Sequence, residues 1–260
     1  MKLKHLAVMF VLLMLTVLAS ACGMNQEPIT SESEGVWDHF FVFPLSWMII
    51  QTAEILQGSY GLAIMVMTIV IRLFLLPLFL KQQKSSKAMQ KLRPELNELR
   101  EKYDMKDPDD QKKMQQEMMQ LYQQSGVNPM AGCLPIVIQM PILMAFYFAI
   151  VRTEEIATHS FLWMDLGVPD PYMVMPLLAG AGMFVQMQLS TRNMPSEVAG
   201  QMKIMMYIMP IMIVGAGVAL PSALSLYWFT GSIFMIIQTL MIQRNERKAE
   251  QSEAEAVEIK

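Results

Sequence analysis

The chain has 260 residues, 53% hydrophobic and 17% charged, with a formal net charge of −3. The charges crowd into 81–117 and the tail after Arg244, the pattern of a polytopic membrane protein with polar cytosolic parts. Only two cysteines, Cys22 and Cys133, are present, which excludes a disulfide framework, and topology must be read from local Lys and Arg, not from the net charge.

Residues 1–21 carry Lys2 and Lys4, an apolar run Leu6–Leu18, and the small residues Ala19-Ser20-Ala21 ahead of Cys22. This reads as an export signal peptide. A small-residue triplet ending at Cys22 and followed by Gly23 resembles a bacterial lipoprotein signal, with Leu18 one step earlier than usual for that pattern. Processing is expected to leave Cys22 lipidated, as N-palmitoyl and S-diacylglycerol cysteine; the alternative is an uncleaved signal anchor. Residues 22–58 then form an external stretch. Its linker is acidic and lacks Lys and Arg, and Val36–Gln57 mixes Trp37, Phe40, Phe41, Phe43 and Trp47 with Asp38, His39 and Glu54. That mixture suits an amphipathic helix lying in the membrane interface. Gly58-Ser59 breaks it.

Residues 59–80 contain the first span, YGLAIMVMTIVIRLFLLPLFL, long enough to cross a bilayer and carrying one charge, Arg72. At about 1.5 Å per residue, Arg72 lies roughly 13 Å from Lys81 and about 18 Å from Tyr60. A helix-centre Arg costs at least about 2.5–3.5 kcal/mol on insertion scales, and snorkelling from there is too long a reach. Something must solvate this guanidinium. Lys81, Lys84, Lys87, Lys91 and Arg93 follow with no acid among them, so this end is cytosolic and the N-terminus external.

Residues 81–128 are the one large soluble region. Met89, Leu92, Leu96, Leu99 and Tyr103 recur at helical spacing, as do Met114, Met118 and Leu121, with the breaker DMKDPDD between them. The spacing predicts an antiparallel helical hairpin, each helix burying a narrow stripe. The second span, 129–151, contains Pro135, Pro141 and Gln139; its prolines free backbone carbonyls that neighbours or water must satisfy. An external loop, 152–171, carries Glu154, Glu155, Asp165 and Asp170, with Phe161 and Trp163 at the interface and Arg152 as the one external basic residue. The third span, 172–190, has Pro176 and, near its inner end, Gln186 and Gln188. A cytosolic loop, 191–203, leads to the fourth span, 204–220, where Gly215, Ala216 and Gly217 permit close helix approach. The fifth span, 221–242, holds Tyr227, Trp228, Gly231 and Gln238, and the tail 243–260 is cytosolic.

Soluble-enzyme motifs are missing: there is no G-x-S-x-G, H-E-x-x-H, Walker loop or G-x-G-x-x-G. No acid lies within the spans, so a carboxylate proton relay has nothing to run on. Neither enzymatic activity nor a cofactor is expected, and Cys133 has no metal-spaced partner. The five donors of Arg72 must therefore go to water, to amide or carbonyl oxygens, or to something that arrives. One reading is a positively charged, hydrated cavity that attracts acidic or polar segments of a client. The other is a structural Arg bonded to carbonyls freed by Pro135 or Pro141. The 28 methionines, clustered in the spans and hairpin, suit promiscuous apolar binding and equally suit lipid-facing helices.

Taken together, TIVIRLFLLPL, KSSKAMQKLRPELNELREKY, GVNPMAGCLPIVIQMPILMAFY, FLWMDLGVPDPY and LPSALSLYWFTGSIFMIIQT resemble the YidC/Oxa/Alb family of membrane protein insertases, over about Val36–Gln243. The lipoprotein-like start resembles the form found in Gram-positive bacteria. The resemblance implies an all-α membrane protein: five transmembrane helices around a hydrophilic groove, plus the cytosolic hairpin and the external interfacial helix. The groove would open to the cytosol and the lipid. Arg72 would be its key residue, Gln139 and Gln186 would match polar groove positions, with Gln188 competing for the latter, and Trp228 would lie on a span that clients contact. Implied partners are nascent membrane proteins, the Sec translocon, the ribosome and signal recognition particle system, and membrane lipids, with no small-molecule substrate. Two rivals remain: a small-anion transporter or channel using Arg72, and a signalling lipoprotein whose hairpin is the output.

Overall fold

The structure is a computed structural model and describes residues 27–104, 107–126, 134–191 and 196–258. A π-helical turn, Asp38–Val42, leads into helix α1, Phe43–Ile55. Then come α2 (Tyr60–Lys91), α3 (Arg93–Glu101), α4 (Pro108–Gln124) and α5 (Leu134–Arg152). A four-residue helix α6 (Glu154–Ala157) and a strand pair β1 (Ser160–Phe161) and β2 (Met164–Asp165) precede α7 (Val174–Thr191), α8 (Ser196–Ala219) and α9 (Ser222–Glu258). Two of these helices contain segments long and apolar enough to cross a membrane, Tyr60–Ser85 and Ser222–Asn245, and three shorter apolar stretches lie at Val137–Arg152, Val174–Ser190 and Met206–Ala219. The fold is that of an all-α membrane protein.

The chain forms two compact units, Leu73–Met140 being one and the remainder the other. In the larger unit, Val42 and Ile49 of the first helical segment, Ile64 of α2, Phe146 and Ile150 of α5, and Leu224 and Tyr227 of α9 bury one another in a single apolar cluster. The Phe146 and Tyr227 rings meet at 4.5 Å. Within a membrane such a cluster is held by close packing rather than by expulsion of water. Helix α1 ends in a Schellman motif: Gly58 N–H donates to Ala53 O at 2.8 Å and Gln57 N–H to Glu54 O at 3.3 Å. Gly58 takes φ +82°, the left-handed geometry that glycine tolerates. The turn sends the chain straight into α2.

In the smaller unit, α3 and α4 pack as a hairpin, with Leu92 and Leu96 buried against Met118, Leu121 and Tyr122. Asp107 caps α4, its carboxylate accepting from Asp109 N–H at 2.9 Å.

Two helices run on past the apolar stretches, and the external loop holds a strand pair. The helix of the first span does not stop at Leu80 but runs on to Lys91, because 81–91 is Lys, Gln, Ser, Ala and Met with no breaker. It stops where Pro94, lacking an N–H, cannot bond to the Gln90 carbonyl, and a new helix starts with that proline in its first turn. Likewise α9 continues through the expected tail to Glu258, a stretch of Arg, Lys, Glu and Ala that favours helix. In the external loop, Ser160 pairs with Asp165 and Phe161 with Met164 around a two-residue turn, in which Leu162 has φ 56°. Two-residue strands leave no periodic signal in sequence.

Candidate functional site

The site starts from Thr68 and Arg72, one turn apart on α2. Thr68 is fully buried and returns its hydroxyl to Ile64 O at 2.7 Å. Within the larger unit the buried face of α2 runs from Tyr60 to this residue. Arg72 is the next residue on that face and is only partly buried. The guanidinium thus lies immediately beyond the apolar cluster. Among the described residues no carboxylate forms an ion pair with it.

On α9 a glycine faces it. A methyl group at Gly231 would stand 2.9 Å from Nη2 and 3.5 Å from Nε of Arg72. Helices α7 and α9 run side by side in the same direction. Gly182 of α7 leaves room for Ser232 of α9, and Gln243 Nε2 of α9 donates to Leu189 O of α7 at 2.9 Å. Small residues at such crossings let backbones approach. Gln186 follows Gly182 by one turn on α7 and is partly buried, and its own carbonyl accepts from Ser190 Oγ at 2.9 Å. Trp228 precedes Gly231 by one turn on α9 and packs on the apolar cluster. Arg72, Gln186 and Trp228 therefore belong to one unit, with Arg72 against the α9 turn that follows Trp228. Gln139 is a partly buried residue of the other unit, and Cys22 lies outside the described residues.

Helix α9 also buries polar groups that have no hydrogen-bond partner among the described residues: Ser225 Oγ, Thr230 Oγ1 and Gln238 Oε1. A buried hydroxyl or amide oxygen costs about 1–3 kcal/mol if left unpaired. Ser225, Ser232 and Thr239 repeat every seven residues and are all buried, giving α9 a polar inner stripe. Sequence reasoning placed Gln238 and Gly231 on the fifth span and missed what Gly231 does. The available signal was a glycine in a span of a chain whose lone intramembrane Arg needs space.

At the opposite end, the polar loop is tied down. Asp170, 4% exposed, accepts from Trp163 Nε1 at 3.1 Å, Tyr172 N–H at 3.0 Å and Met175 N–H at 2.7 Å. Ser222 Oγ at the start of α9 donates to Asp165 O at 2.6 Å. The Phe161 ring sits over Gly61 at the start of α2, and the Tyr60 and His159 rings meet at 4.3 Å.

The hairpin carries a polar clasp. Glu117 of α4 accepts from Tyr103 Oη at 2.6 Å and pairs with Lys102 Nζ at 3.0 Å. The tyrosine hydroxyl, and then the ammonium, hold the Glu117 carboxyl below the usual carboxylate range. Beside the clasp is a cleft of 390 Å³ lined by Glu95, Glu98, Leu99 and Leu121 among others. No cluster of His, Cys, Asp and Glu able to hold a metal ion occurs among the described residues.

Comparison with known proteins follows this architecture closely. The family described as 60Kd inner membrane protein matches residues 51–250. The chain is 59% identical over 239 residues to the membrane protein insertase YidC of Alkalihalophilus pseudofirmus, covering 91% of this chain and 93% of that one. It is 51% identical over 227 residues to the membrane protein insertase MisCA of Bacillus subtilis, covering 87% of each. A crystal structure of an active YidC insertase with its first transmembrane domain resolved superposes with a TM-score of 0.60 at 31% identity, over 79% of this chain. The chain spans 47% of the length of that solved protein. With a family match across most of its length and relatives of this identity, the chain belongs to the YidC/Oxa/Alb family, the family of the 60Kd inner membrane protein.

Proposed function

We propose that this chain is a membrane protein insertase that delivers polar segments of its clients across the bilayer through a hydrated, positively charged site at Arg72. The observation that carries the reading is the position of Arg72: an intramembrane cation immediately beyond a packed apolar cluster, with no carboxylate partner among the described residues. Five spans, 59–80, 129–151, 172–190, 204–220 and 221–242, hold the N-terminus outside and the C-terminus in the cytosol, and Cys22 carries the lipid anchor. The cytosolic hairpin receives clients from the ribosome and signal recognition particle system, and the protein works alone or beside the Sec translocon.

The mechanism needs no fuel. A wet site lowers the desolvation cost of a client's polar segment, and Arg72 holds an acidic one transiently. Gln186 extends the polar lining, and Trp228 presents a rigid apolar face along α9. The client's apolar segment then leaves for lipid, and that partitioning drives the step. The membrane potential adds about 2.3 kcal/mol per outward-moving negative charge per 100 mV.

The test is depletion of the protein with rescue by variants, following insertion of a small membrane protein with an acidic external tail. Arg72→Ala should lower insertion by about tenfold or more, the scale of one lost charge-assisted hydrogen bond of roughly 1.5–3 kcal/mol. Arg72→Lys should retain function if charge alone matters. Full rescue by Arg72→Ala sinks the mechanism, and Arg72-dependent anion uptake by proteoliposomes would point to a transporter instead.

A further inference from the structure

We propose that Gly231 is the positioning residue that sets where Arg72 presents its charge: α9 leaves a notch without a side chain at this turn, and the guanidinium rests in it. The inference builds on the reading of Arg72 as the charge that meets acidic client segments. A methyl at Gly231 would stand 2.9 Å from Nη2, 3.5 Å from Nε and 3.6 Å from Cζ of Arg72. All three atoms belong to the guanidinium, so its Nε–Nη2 edge lies against the α9 backbone. The backbone itself does not ask for glycine here. Among the described residues the glycines with positive φ are Gly35, Gly58 and Gly126, and Gly231 sits in the interior of a regular helix where alanine would be the better residue. What glycine supplies is space.

The flanking positions supply none. Thr230 and Ser232 are 5% and 6% exposed, and Ser232 Oγ donates to Phe229 O at 2.8 Å while facing Gly182 of α7. Trp228 fills the preceding turn. The notch at Gly231 is therefore bounded along α9 and receives the one intramembrane cation of the first span. A side chain placed there meets the far end of a flexible arginine and not a backbone. The protein would accommodate it by moving the guanidinium and keeping the helices where they are. The consequence falls on the placement of the charge, and through it on clients that need the charge.

The experiment uses the full chain in a depletion strain with one small client made in two forms, one with an acidic external tail and one with a neutral tail. Gly231→Ala, Arg72→Ala and the double variant are compared, with Gly215→Ala as control, since a methyl at Gly215 has nothing within 4 Å. Gly231→Ala should slow insertion of the acidic form by about fivefold, a weakened but not abolished charge-assisted contact, and leave the neutral form unchanged. The double variant should be no worse than Arg72→Ala alone, because contacting residues are not additive. Equal loss for both clients, wild-type insertion of the acidic client by Gly231→Ala, or a double variant lower than Arg72→Ala by the full Gly231→Ala factor would each overturn the assignment of Gly231 while leaving the role of Arg72 standing. Wild-type insertion by Arg72→Ala would remove both. If Gly231→Ala lowers the amount of protein, adding Arg72→Ala should restore it; failure to do so places the clash elsewhere and ends the proposal.

Discussion

Gly215 and Gly217 lie two residues apart on α8, and the chain treats them in opposite ways. A methyl at Gly215 meets nothing within 4 Å, whereas one at Gly217 would stand 2.6 Å from Ser225 Oγ and 2.9 Å from Pro176 Cβ. The first position is open. The second is where α8 lets the starts of α7 and α9 approach. Gly217→Ala should therefore destabilise the protein by about 1–3 kcal/mol through overpacking, and Gly215→Ala should be neutral or stabilising by up to about 1 kcal/mol. Thermal unfolding of the purified protein in detergent separates them, and equal melting temperatures would refute the contact. Sequence marks both glycines as small residues in a span and cannot rank them, because rank depends on which neighbour crosses at that height. The same holds for Gly231. Arg72 is the opposite case: a lone charge in an almost wholly apolar run is an energetic anomaly visible without any structure, and only its neighbour had to be found in space.

At the scale of elements, the hairpin shows what periodicity conveys and where it stops. The apolar residues at three- and four-residue steps, Leu92, Leu96 and Met114, are buried, and Met118 and Leu121 pack beside them. The clasp of Lys102 and Tyr103 on Glu117 could not be read from spacing, since it depends on the antiparallel register of α3 and α4. It has a pH consequence. Glu117 is held below its ordinary value by the tyrosine hydroxyl first and the lysine second, so its contribution is present above the unfolded-state value and is lost as pH falls through the lowered folded-state value. The hairpin should hold its amide protection near pH 7 and lose part of it only in acid, as pH falls through the lowered Glu117 value. Glu117→Gln should make protection at neutral pH resemble that of the acidified wild type. Hydrogen exchange across 93–124, corrected for intrinsic rates, reads both; a variant as protected as wild type would show that the clasp contributes nothing. The length of the helices was less legible than their existence. Helices α2 and α9 overrun the spans by several turns because polar helix-formers continue what the apolar residues begin, and composition marks the membrane boundary but not the helix end.

For the molecule as a whole, the ends of the first unit differ in how they are closed. Beyond Thr68 lie Arg72 and, farther along α9 than Ser225, Thr230 Oγ1 and Gln238 Oε1, which are without a hydrogen-bond partner among the described residues. At the other end, Arg152 fastens segments remote in sequence. Its Nη1 pairs with Asp38 Oδ2 at 2.9 Å, its Nε donates to Glu27 O at 2.9 Å, and its carbonyl accepts from Ile29 N–H at 2.9 Å. Next to it, Thr153 and Ser46 share a buried hydroxyl contact of 2.6 Å. In the sequence Arg152 is an exception, a basic residue on the side where basic residues are scarce; its pairing with Asp38 neutralises it there. The two side chains are 7% and 16% exposed, so removing one leaves the other charge with little water. Asp38→Ala should cost about 3–5 kcal/mol, and the double variant Asp38→Ala with Arg152→Met should recover most of the loss, because a buried pair replaced whole by apolar groups is close to neutral. Melting temperatures of the four proteins in detergent give the cycle. Simple addition of the two single effects would mean that the ion pair does not fasten this end, and that the Arg152 Nε bond to Glu27 O and the backbone bond from Ile29 N–H to Arg152 O carry the closure. Recovery in the double variant, with insertion of an acidic-tailed client intact, would show that this end stays closed and the protein stays active without its ion pair.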